Sequence, residues 1–534
     1  MDISEMLARN ARIYPSRVAL VERVPSKKLR VQATWKELDE RVNRIANALR
    51  DRGIRKGDMV VHWMVNSITW LEAYFGIIRT GAVVVPLNFR FNEKDFKYCV
   101  DVAEPKAAII DAEFIDRVRA SGSLPLIKNR CLINGLGVPT DMDNLETAIA
   151  QTPSRPVQVS IEPQDPCGLY FTSGTTGTPK PILLTHNNME HAAIIEVVHK
   201  LRDRGDIFVI LKPLYHTGDF IHWLSSLILG ETAVIQSDKI TPEAIFKVME
   251  EERGSVAMLL VPWIQDILTE LESGRLRKKD YDLSRWRLLM TGAQPVPPSL
   301  VERLKRELPH MLVEENYGLT EGTGPQCIHL GIENEHKAGS IGIPGFNWEA
   351  RLADDSGTDV PQGEVGEIII RGNGVMKEYY KNPGKTAETI RDGWLYTGDL
   401  GKMDADGFFW IVGRKKDLII SGGENVYPSE VEEIIQTHPK VHDVGVIGLP
   451  DDRLGEIVTA VIKLKPDVPE SGETEKELFQ FLEQNLPKYK RPRRIIFDDV
   501  LRNPTGKIEK TKMKARYRGL EKVNHPRALG DMTE

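Results

Sequence analysis

The sequence predicts a large α/β domain followed by a smaller α+β domain, and three observations carry that reading. Continuous apolar runs alternate with amphipathic helical stretches ahead of Asp354, as parallel strands covered by helices on both faces require. From Asp354 to Phe409 short strands are broken by glycine and turn residues, which predicts a small antiparallel, barrel-like subdomain. Beyond Lys416, after the charged and turn-prone Gly413-Arg414-Lys415-Lys416-Asp417, strand and helix patterns return on a smaller scale. The expected division is 1–415 and 416–534, the second part a mobile lid with its hinge at that charged segment.

The elements follow in order. Residues 34–53 predict a helix: Thr34 and Glu37 form a capping box, Leu38, Val42, Ile45, Ala46 and Leu49 share a face, and Gly53 ends it. A strand at Met59–Met64, a helix near Ser67–Thr80 closed by Gly81, and a strand at Ala82–Pro86 come next. Ala107–Ile110, Ile207–Leu211, Thr232–Ile235 and Ala257–Pro262 read as further buried strands. Glu367–Ile370 and Phe408–Ile411 are the clearest strands of the barrel-like unit. The lid predicts helices at Pro428–Gln436 and Glu473–Leu486, with strands at Val441–Ile447, Thr459–Leu464 and Arg494–Phe497.

Composition narrows the function. A 41% hydrophobic and 28% charged chain is ordinary for a globular protein, and a net charge of −6 disfavours a nucleic-acid partner. Cys99, Cys131, Cys167 and Cys327 stand far apart without a CxxC pair, so they read as reduced, buried thiols. The first residues lack a signal peptide's basic flank and apolar core. The longest apolar run, Val256–Ile264, is interrupted by Pro262. A soluble cytoplasmic protein with no integral membrane segment is the expectation.

The chemistry centres on residues 172–180, Thr-Ser-Gly-Thr-Thr-Gly-Thr-Pro-Lys, which leave the strand-like Gly168-Leu169-Tyr170-Phe171. Glycines let backbone N–H groups turn toward a bound anion, and hydroxyls and an ammonium add donors. A Walker A loop is excluded, because Gly177-Thr178-Pro179-Lys180 replaces its Gly-Lys-[Ser/Thr] ending. Five further stretches suit the same task. Asn316-Tyr317-Gly318-Leu319-Thr320-Glu321 offers an aromatic face, a hydroxyl and a carboxylate. Tyr396-Thr397-Gly398-Asp399 places an acid after a turn, and Gly413-Arg414 a fixed cation. Ser421-Gly422-Gly423-Glu424-Asn425 is a second glycine loop, and Asn503-Pro504-Thr505-Gly506-Lys507 ends in a lysine. Together they compose a nucleotide site: a plane for a base, an acid for ribose hydroxyls, donors for phosphates and a carboxylate for Mg²⁺.

Six motifs in this order resemble the AMP-forming acyl-CoA synthetases of the ANL adenylate-forming superfamily, over nearly the whole chain. The resemblance implies the remaining assignments. Thr172, Ser173, Gly174, Thr175, Thr176, Gly177 and Lys180 would hold the β- and γ-phosphates of ATP, and Gly292-Ala293-Gln294 would line the adenine. Tyr317, between Asn316 and Gly318, would stack on the base. Thr320 would meet the α-phosphate and Glu321 the Mg²⁺ ion. Asp399 and Arg414 would take the ribose hydroxyls. Lys507 matches the catalytic lysine of adenylation, and Lys416 the hinge. Gly423, beside Gly422, matches the glycine passed by the pantetheine arm of coenzyme A. His216, in Pro213-Leu214-Tyr215-His216, matches an aromatic gate at the mouth of the acyl pocket. Pro181, Gln294 and Glu378 depart from the family's usual residues without removing a group assigned to chemistry.

The implied reaction is acid plus ATP to acyl-AMP and pyrophosphate, then acyl-AMP plus CoA to acyl-CoA and AMP. A small-molecule carboxylic acid is the implied substrate. The pocket is expected around His216–Trp223 and Gly318–Thr323, where Phe220 and Trp223 point to a medium-length, cyclic or aromatic acid. Asp219 either meets a polar group of the substrate or caps the following helix. The alternative is a free-standing adenylation enzyme that loads a carrier protein. Against it, no carrier domain follows Lys507 before Glu534.

Overall fold

The computed structural model describes residues 2–123, 127, 130–172, 179–293, 296–329, 335–503 and 506–519. The large N-terminal α/β domain is built on two sheets. In one, Val18–Val24, Thr232–Gln236, Ile207–Ile210, Val256–Leu260, Leu288–Gly292 and Leu312–Leu319 lie parallel. Antiparallel strands Leu29–Thr34 and Gly324–His329 flank that parallel stack, and Ile343–Pro344 lies outermost beside Gly324–His329. In the other, Pro166–Thr172, Val83–Pro86, Met59–Trp63, Ala107–Asp111 and Cys131–Asn134 run parallel. Its far side is the antiparallel pair Lys180–Thr185 and Glu378–Tyr379.

One apolar cluster joins the two sheets. It takes Val60, Val84 and Ile109 from one, Ile210, Ile235 and Met290 from the other, and Ile45, Trp70, Phe75 and Ile195 from helices Trp35–Asp51, Ile68–Arg79 and His186–His199. Helix Ile68–Arg79 is buried from both sides, which explains why it is apolar nearly all round. The expected capping box is present: Thr34 Oγ1 accepts from the Glu37 amide, and the Glu37 carboxylate accepts from the Thr34 amide.

Pro262 is a correction. The strand expected over Ala257–Pro262 ends at Leu260, and Pro262 lies in the first turn of helix Val261–Glu272. A proline fits there because the first helical N–H groups have no intrahelical acceptor to lose. The glycine-rich region is a five-stranded antiparallel sheet that starts at Trp348, ahead of the expected change at Asp354, and ends with strand Phe409–Arg414.

The smaller C-terminal domain is α+β. Its sheet contains Val441–Asp451, Gly455–Leu464 and Arg494–Phe497, with helices Pro428–Gln436 and Gly472–Asn485. Val431, Ile435, Leu478 and Leu482 bury one helical face each on that sheet, around Val446, Ala460 and Ile462. Among the described residues no helix is long and apolar enough to cross a membrane.

Candidate active site

The site forms where the carboxyl ends of the parallel strands meet the antiparallel sheet and the C-terminal domain. Asp399 and Arg414 face each other in antiparallel register. Arg414 Nε lies 2.6 Å from Asp399 Oδ1, while the Tyr317 hydroxyl donates to Asp399 Oδ2 at 2.7 Å. Asp399 is 4% exposed and Tyr317 7%, so the carboxylate is gripped from two sides in a nearly closed setting. Asp399 is the main influence that raises the Arg414 guanidinium further, and burial drives the Tyr317 phenol well up. The fixed arginine thus stays charged and the tyrosine stays a donor.

Glu321 follows the end of strand Leu312–Leu319 on a short 3₁₀ turn, Thr320–Gly322. Its Oε1 accepts the Tyr379 hydroxyl at 2.8 Å. The Lys180 ammonium sits 5.4 Å from the centre of the same Tyr379 ring, which suits a cation–π contact. Tyr379 pairs with Ile182 across the Glu378–Tyr379 and Lys180–Thr185 strands, so one short strand holds both Lys180 and Glu321. Lys180 is lowered chiefly by burial, against the attraction of Glu321. Among the described residues no cluster of three or more His, Cys, Asp or Glu forms a ready cation cage. A single oriented carboxylate close to a lysine fits Mg²⁺, which takes one or two protein carboxylates and completes its shell with phosphates and water.

Thr172 ends strand Pro166–Thr172, in register with Lys180. The expected phosphate-loop residues between them, Ser173, Gly174, Thr175, Thr176 and Gly177, lie outside the described residues, as does Gln294. The Tyr98 hydroxyl donates to the Pro179 carbonyl at 3.0 Å and pins the loop's exit. Gly292 leaves no room for a side chain: a Cβ there would fall 2.6 Å from the Asn316 carbonyl oxygen. Ala293, with φ at 68°, holds a left-handed conformation rarely used by non-glycine residues.

Lys507 reaches this centre from the C-terminal domain. Burial, then Arg414, lower its ammonium to about 8, against Asp399 and Glu321, which favour the charge. The three groups of the N-terminal domain therefore act together on one lysine. The turn carrying it is tightly built. The Lys507 amide donates to Asn503 Oδ1 and the Asn503 amide to the Lys507 carbonyl, both at 2.9 Å. Gly506 has φ at 80°, and a Cβ there would fall 3.0 Å from Leu260 Cδ1, at the end of strand Val256–Leu260. Only glycine combines that conformation with that approach. Nearby, His442 Nε2 lies 3.6 Å from Asp266 Oδ1 across the same domain contact.

His216 caps helix Thr217–Trp223, its Nδ1 accepting from the Gly218 amide at 3.0 Å. Burial, with Lys212 and Lys507 adding to it, lowers its imidazole to about 3, so it is neutral at ordinary pH. The cap corrects one expectation, since Asp219 lies inside this helix and does not cap it. Thr217 and Thr320 hydroxyls meet at 3.3 Å, joining this helix to the turn that carries Glu321.

Phe220 and Trp223 are fully buried. Phe220 packs on Tyr74 and Trp70, with ring centres 4.4 and 5.7 Å apart, and Trp223 meets Phe75 edge-on at 5.6 Å. They brace the helix from behind and present no surface as a pocket wall, contrary to expectation. Gly422 and Gly423 have φ at 62° and 86°, forming the turn between strands Ile419–Ser421 and Glu424–Val426. Lys416 lies in the 3₁₀ turn Lys415–Asp417 that follows Arg414. Tyr379 and Tyr98 were missed from sequence, because nothing in a lone tyrosine announces a partner so distant in the chain.

Comparison with known proteins places the chain in a family. A model of the AMP-binding enzyme family matches residues 7–380, and one of the AMP-binding enzyme C-terminal domain matches residues 430–507. The chain is 35% identical to a feruloyl-CoA synthase of Amycolatopsis, over 91% of this chain and 94% of that one. It is 32% identical to the long-chain-fatty-acid–CoA ligase FadD13 of Mycobacterium tuberculosis, over 97% and 98%. The crystal structure of the anthranilate CoA ligase AuaEII in complex with anthranoyl-AMP superposes with a TM-score of 0.88 at 26% identity, covering 97% of both chains. The chain belongs to the AMP-binding enzyme family and is an acyl-CoA synthetase of the ANL superfamily, an AMP-forming ligase that uses ATP and coenzyme A.

Proposed function

We propose that this ligase activates a cyclic, aromatic or medium-length acid, and that Lys507 performs the adenylation step in the arrangement described above. The observation that carries the second half is the packing of the Gly506 turn against Leu260, which sets Lys507 within electrostatic reach of the Arg414–Asp399 pair and of Glu321.

A carboxylate is a poor acylating agent because its leaving group would be oxide. Attack of a carboxylate oxygen on the ATP α-phosphorus forms the mixed anhydride and releases pyrophosphate. Two anions must approach, so placed cations dominate the catalysis. Lys507 bridges the acyl carboxylate and the α-phosphate. Thr320 donates to the α-phosphate, and Lys180 with Thr172 and the glycine loop holds the β- and γ-phosphates. Tyr317 supplies the plane under adenine, while Asp399 and Arg414 fix the ribose. Glu321 would hold Mg²⁺, which would supply charge neutralisation on the phosphates. The CoA thiol then attacks the anhydride carbonyl and expels AMP. Lys507 and Gly423 both follow Lys416, so rotation of 416–534 about this residue withdraws the lysine and presents the glycine turn to the pantetheine arm. His216, neutral and capping its helix, gates the acyl pocket and takes no part in proton transfer.

Two features support the acid class. A Cβ at Gly324 would fall 3.2 Å from Ala192 and 3.3 Å from Ile221, so strand Gly324–His329 lies close against helices His186–His199 and Thr217–Trp223 at that point, which supports a compact acid. Relatives named for ferulate and anthranilate support a ring. The four buried free cysteines support a cytoplasmic setting. The test is pyrophosphate release, with and without CoA, over short, branched, aromatic, medium and long-chain acids. The reading expects the highest kcat/KM for a ring-bearing or medium acid. A long-chain acid as best substrate would overturn it.

A further inference from the structure

Lys212 is a buried lysine apart from the residues assigned to the nucleotide. It follows strand Ile207–Ile210 at the carboxyl end of its sheet and is 5% exposed. Its main chain is clamped by Asn66, which lies just beyond strand Met59–Trp63 of the other sheet. The Lys212 carbonyl accepts from Asn66 Nδ2 at 2.8 Å, and the Leu214 amide donates to Asn66 Oδ1 at 2.9 Å. From that clamp the side chain runs to Met258, with Nζ 2.8 Å from Sδ. Desolvating an ammonium is costly, so a buried one beside a substrate site is better suited to binding than to stability.

Its surroundings set it beside the acyl gate. After burial, Lys212 is the next cause that lowers the His216 imidazole, and Lys507 follows it. Gly218, in the first turn of helix Thr217–Trp223, stands between the ammonium and the partly open side of that helix. A Cβ at Gly218 would fall 3.3 Å from Lys212 Nζ and 3.0 Å from His216 Nδ1. A side chain there would stand over the ammonium, and glycine leaves that approach free of one. Phe220 and Trp223 close the far side of the same helix against Tyr74 and Phe75. The neighbouring Thr217 hydroxyl meets Thr320, so Lys212, Gly218, Thr217 and Thr320 follow one another toward the turn that carries Glu321.

We propose that Lys212 is a specificity-determining residue of the acyl pocket, and that the acid carries a second oxygen acceptor, a carboxylate or a carbonyl, to which the ammonium donates through the gap at Gly218. This rests on the reading that puts the acyl pocket at His216, and it narrows the ring-bearing or medium-length class to members with that oxygen. An ammonium carries several donors, so it keeps its protein contacts while meeting a ligand oxygen. Hydrogen bonds from a charged donor are among the stronger ones, and a site built for one rejects the analogue that lacks the acceptor.

The test compares pyrophosphate release by the full chain from benzoate and from benzoates bearing an acetyl or carboxyl group at the ortho, meta or para position, and likewise from hexanoate and adipate. The wild type is expected to favour at least one acceptor-bearing acid over its parent by roughly tenfold or more in kcat/KM, mainly through KM. The series that shows it, acetyl or carboxyl, names the oxygen, and either supports the proposal. Lys212→Met keeps an unbranched side chain beside Met258 and should lower that ratio by roughly tenfold or more. Equal losses for the acceptor-bearing acid and its parent would mark a structural defect and overturn the proposal, as would an unmoved ratio. If this variant does not fold, Gly218→Ala, which leaves the lysine in place and sets a methyl group over it, is read in the same way. A wild type that prefers benzoate and hexanoate to every acceptor-bearing counterpart, or adenylates none of those counterparts, overturns the proposal and leaves the ring-bearing or medium-length class standing. A long-chain acid as best substrate overturns that class instead, and the ratio in Lys212→Met then decides the proposal.

Discussion

Arg502 forms a bidentate ion pair with Asp443, at 3.0 and 2.8 Å, and gives another N–H to the Gly506 carbonyl at 2.6 Å. Asp443 belongs to the longest strand of the C-terminal domain, and Gly506 immediately precedes Lys507. The guanidinium is therefore a strut between the domain's sheet and the turn that carries Lys507.

Arg502→Lys should weaken adenylation without unfolding the domain. A lysine cannot reproduce the planar fork, and small misplacements of a catalytic group cost heavily in rate. A loss of ~10–10² in the adenylation rate is expected, with CoA acylation from supplied acyl-adenylate retained. Equal loss in both half-reactions would show a general defect of the lid.

Tyr379→Phe should raise the Mg²⁺ requirement. The hydroxyl donates to Glu321 Oε1, and removing such an orienting partner typically weakens metal binding ~10-fold. A Mg²⁺ titration of adenylation at fixed ATP, with Mg²⁺-dependent thermal stabilisation by ATP as a second readout, measures it. An unchanged Mg²⁺ midpoint would leave Tyr379 as packing under Lys180.

Trp223→Ala should act on stability first. Opening a fully buried tryptophan site typically costs ~3–5 kcal/mol, and this ring packs against Phe75 and Phe220. Denaturant unfolding should show that loss while the preferred acid length stays as in the wild type. A shift to longer acids with little loss of stability would restore Trp223 as a pocket wall.

Much of the fold was legible locally. Pro428–Gln436 and Arg494–Phe497 were read to the residue, because periodicity and boundary residues agree there. Pro262 misled because a proline ends a strand and begins a helix equally well. The motif residues Tyr317, Glu321, Asp399, Arg414 and Lys507 were legible because each sits in a short pattern with its own turn. Tyr379 and Arg502 were not, since their partners come from other elements. Phe220 and Trp223 looked like pocket walls because a helix that buries every face gives no periodic sign of which face meets a ligand.

The pH profile follows from the lysine. Burial and then Arg414 lower the Lys507 ammonium to about 8, and the proposed role in adenylation requires the charged form. That form is present below about 8 and is lost as pH rises. The kcat/KM for ATP in adenylation, which reports the free enzyme, should fall through this range, and in Lys507→Arg the fall should move to higher pH. A wild-type profile flat to pH 10 would contradict the buried setting of Lys507.

The central claim is that Lys507 acts in adenylation alone and leaves the site before CoA arrives. The most direct measurement is Lys507→Ala in the two half-reactions, assayed separately on folded protein. Pyrophosphate release from acid and ATP should drop by ~10²–10³, as for one positioned charge removed from a developing anion. Conversion of supplied acyl-adenylate and CoA to acyl-CoA should stay near the wild-type rate. Comparable losses in both half-reactions, or a wild-type rate of pyrophosphate release, would contradict it.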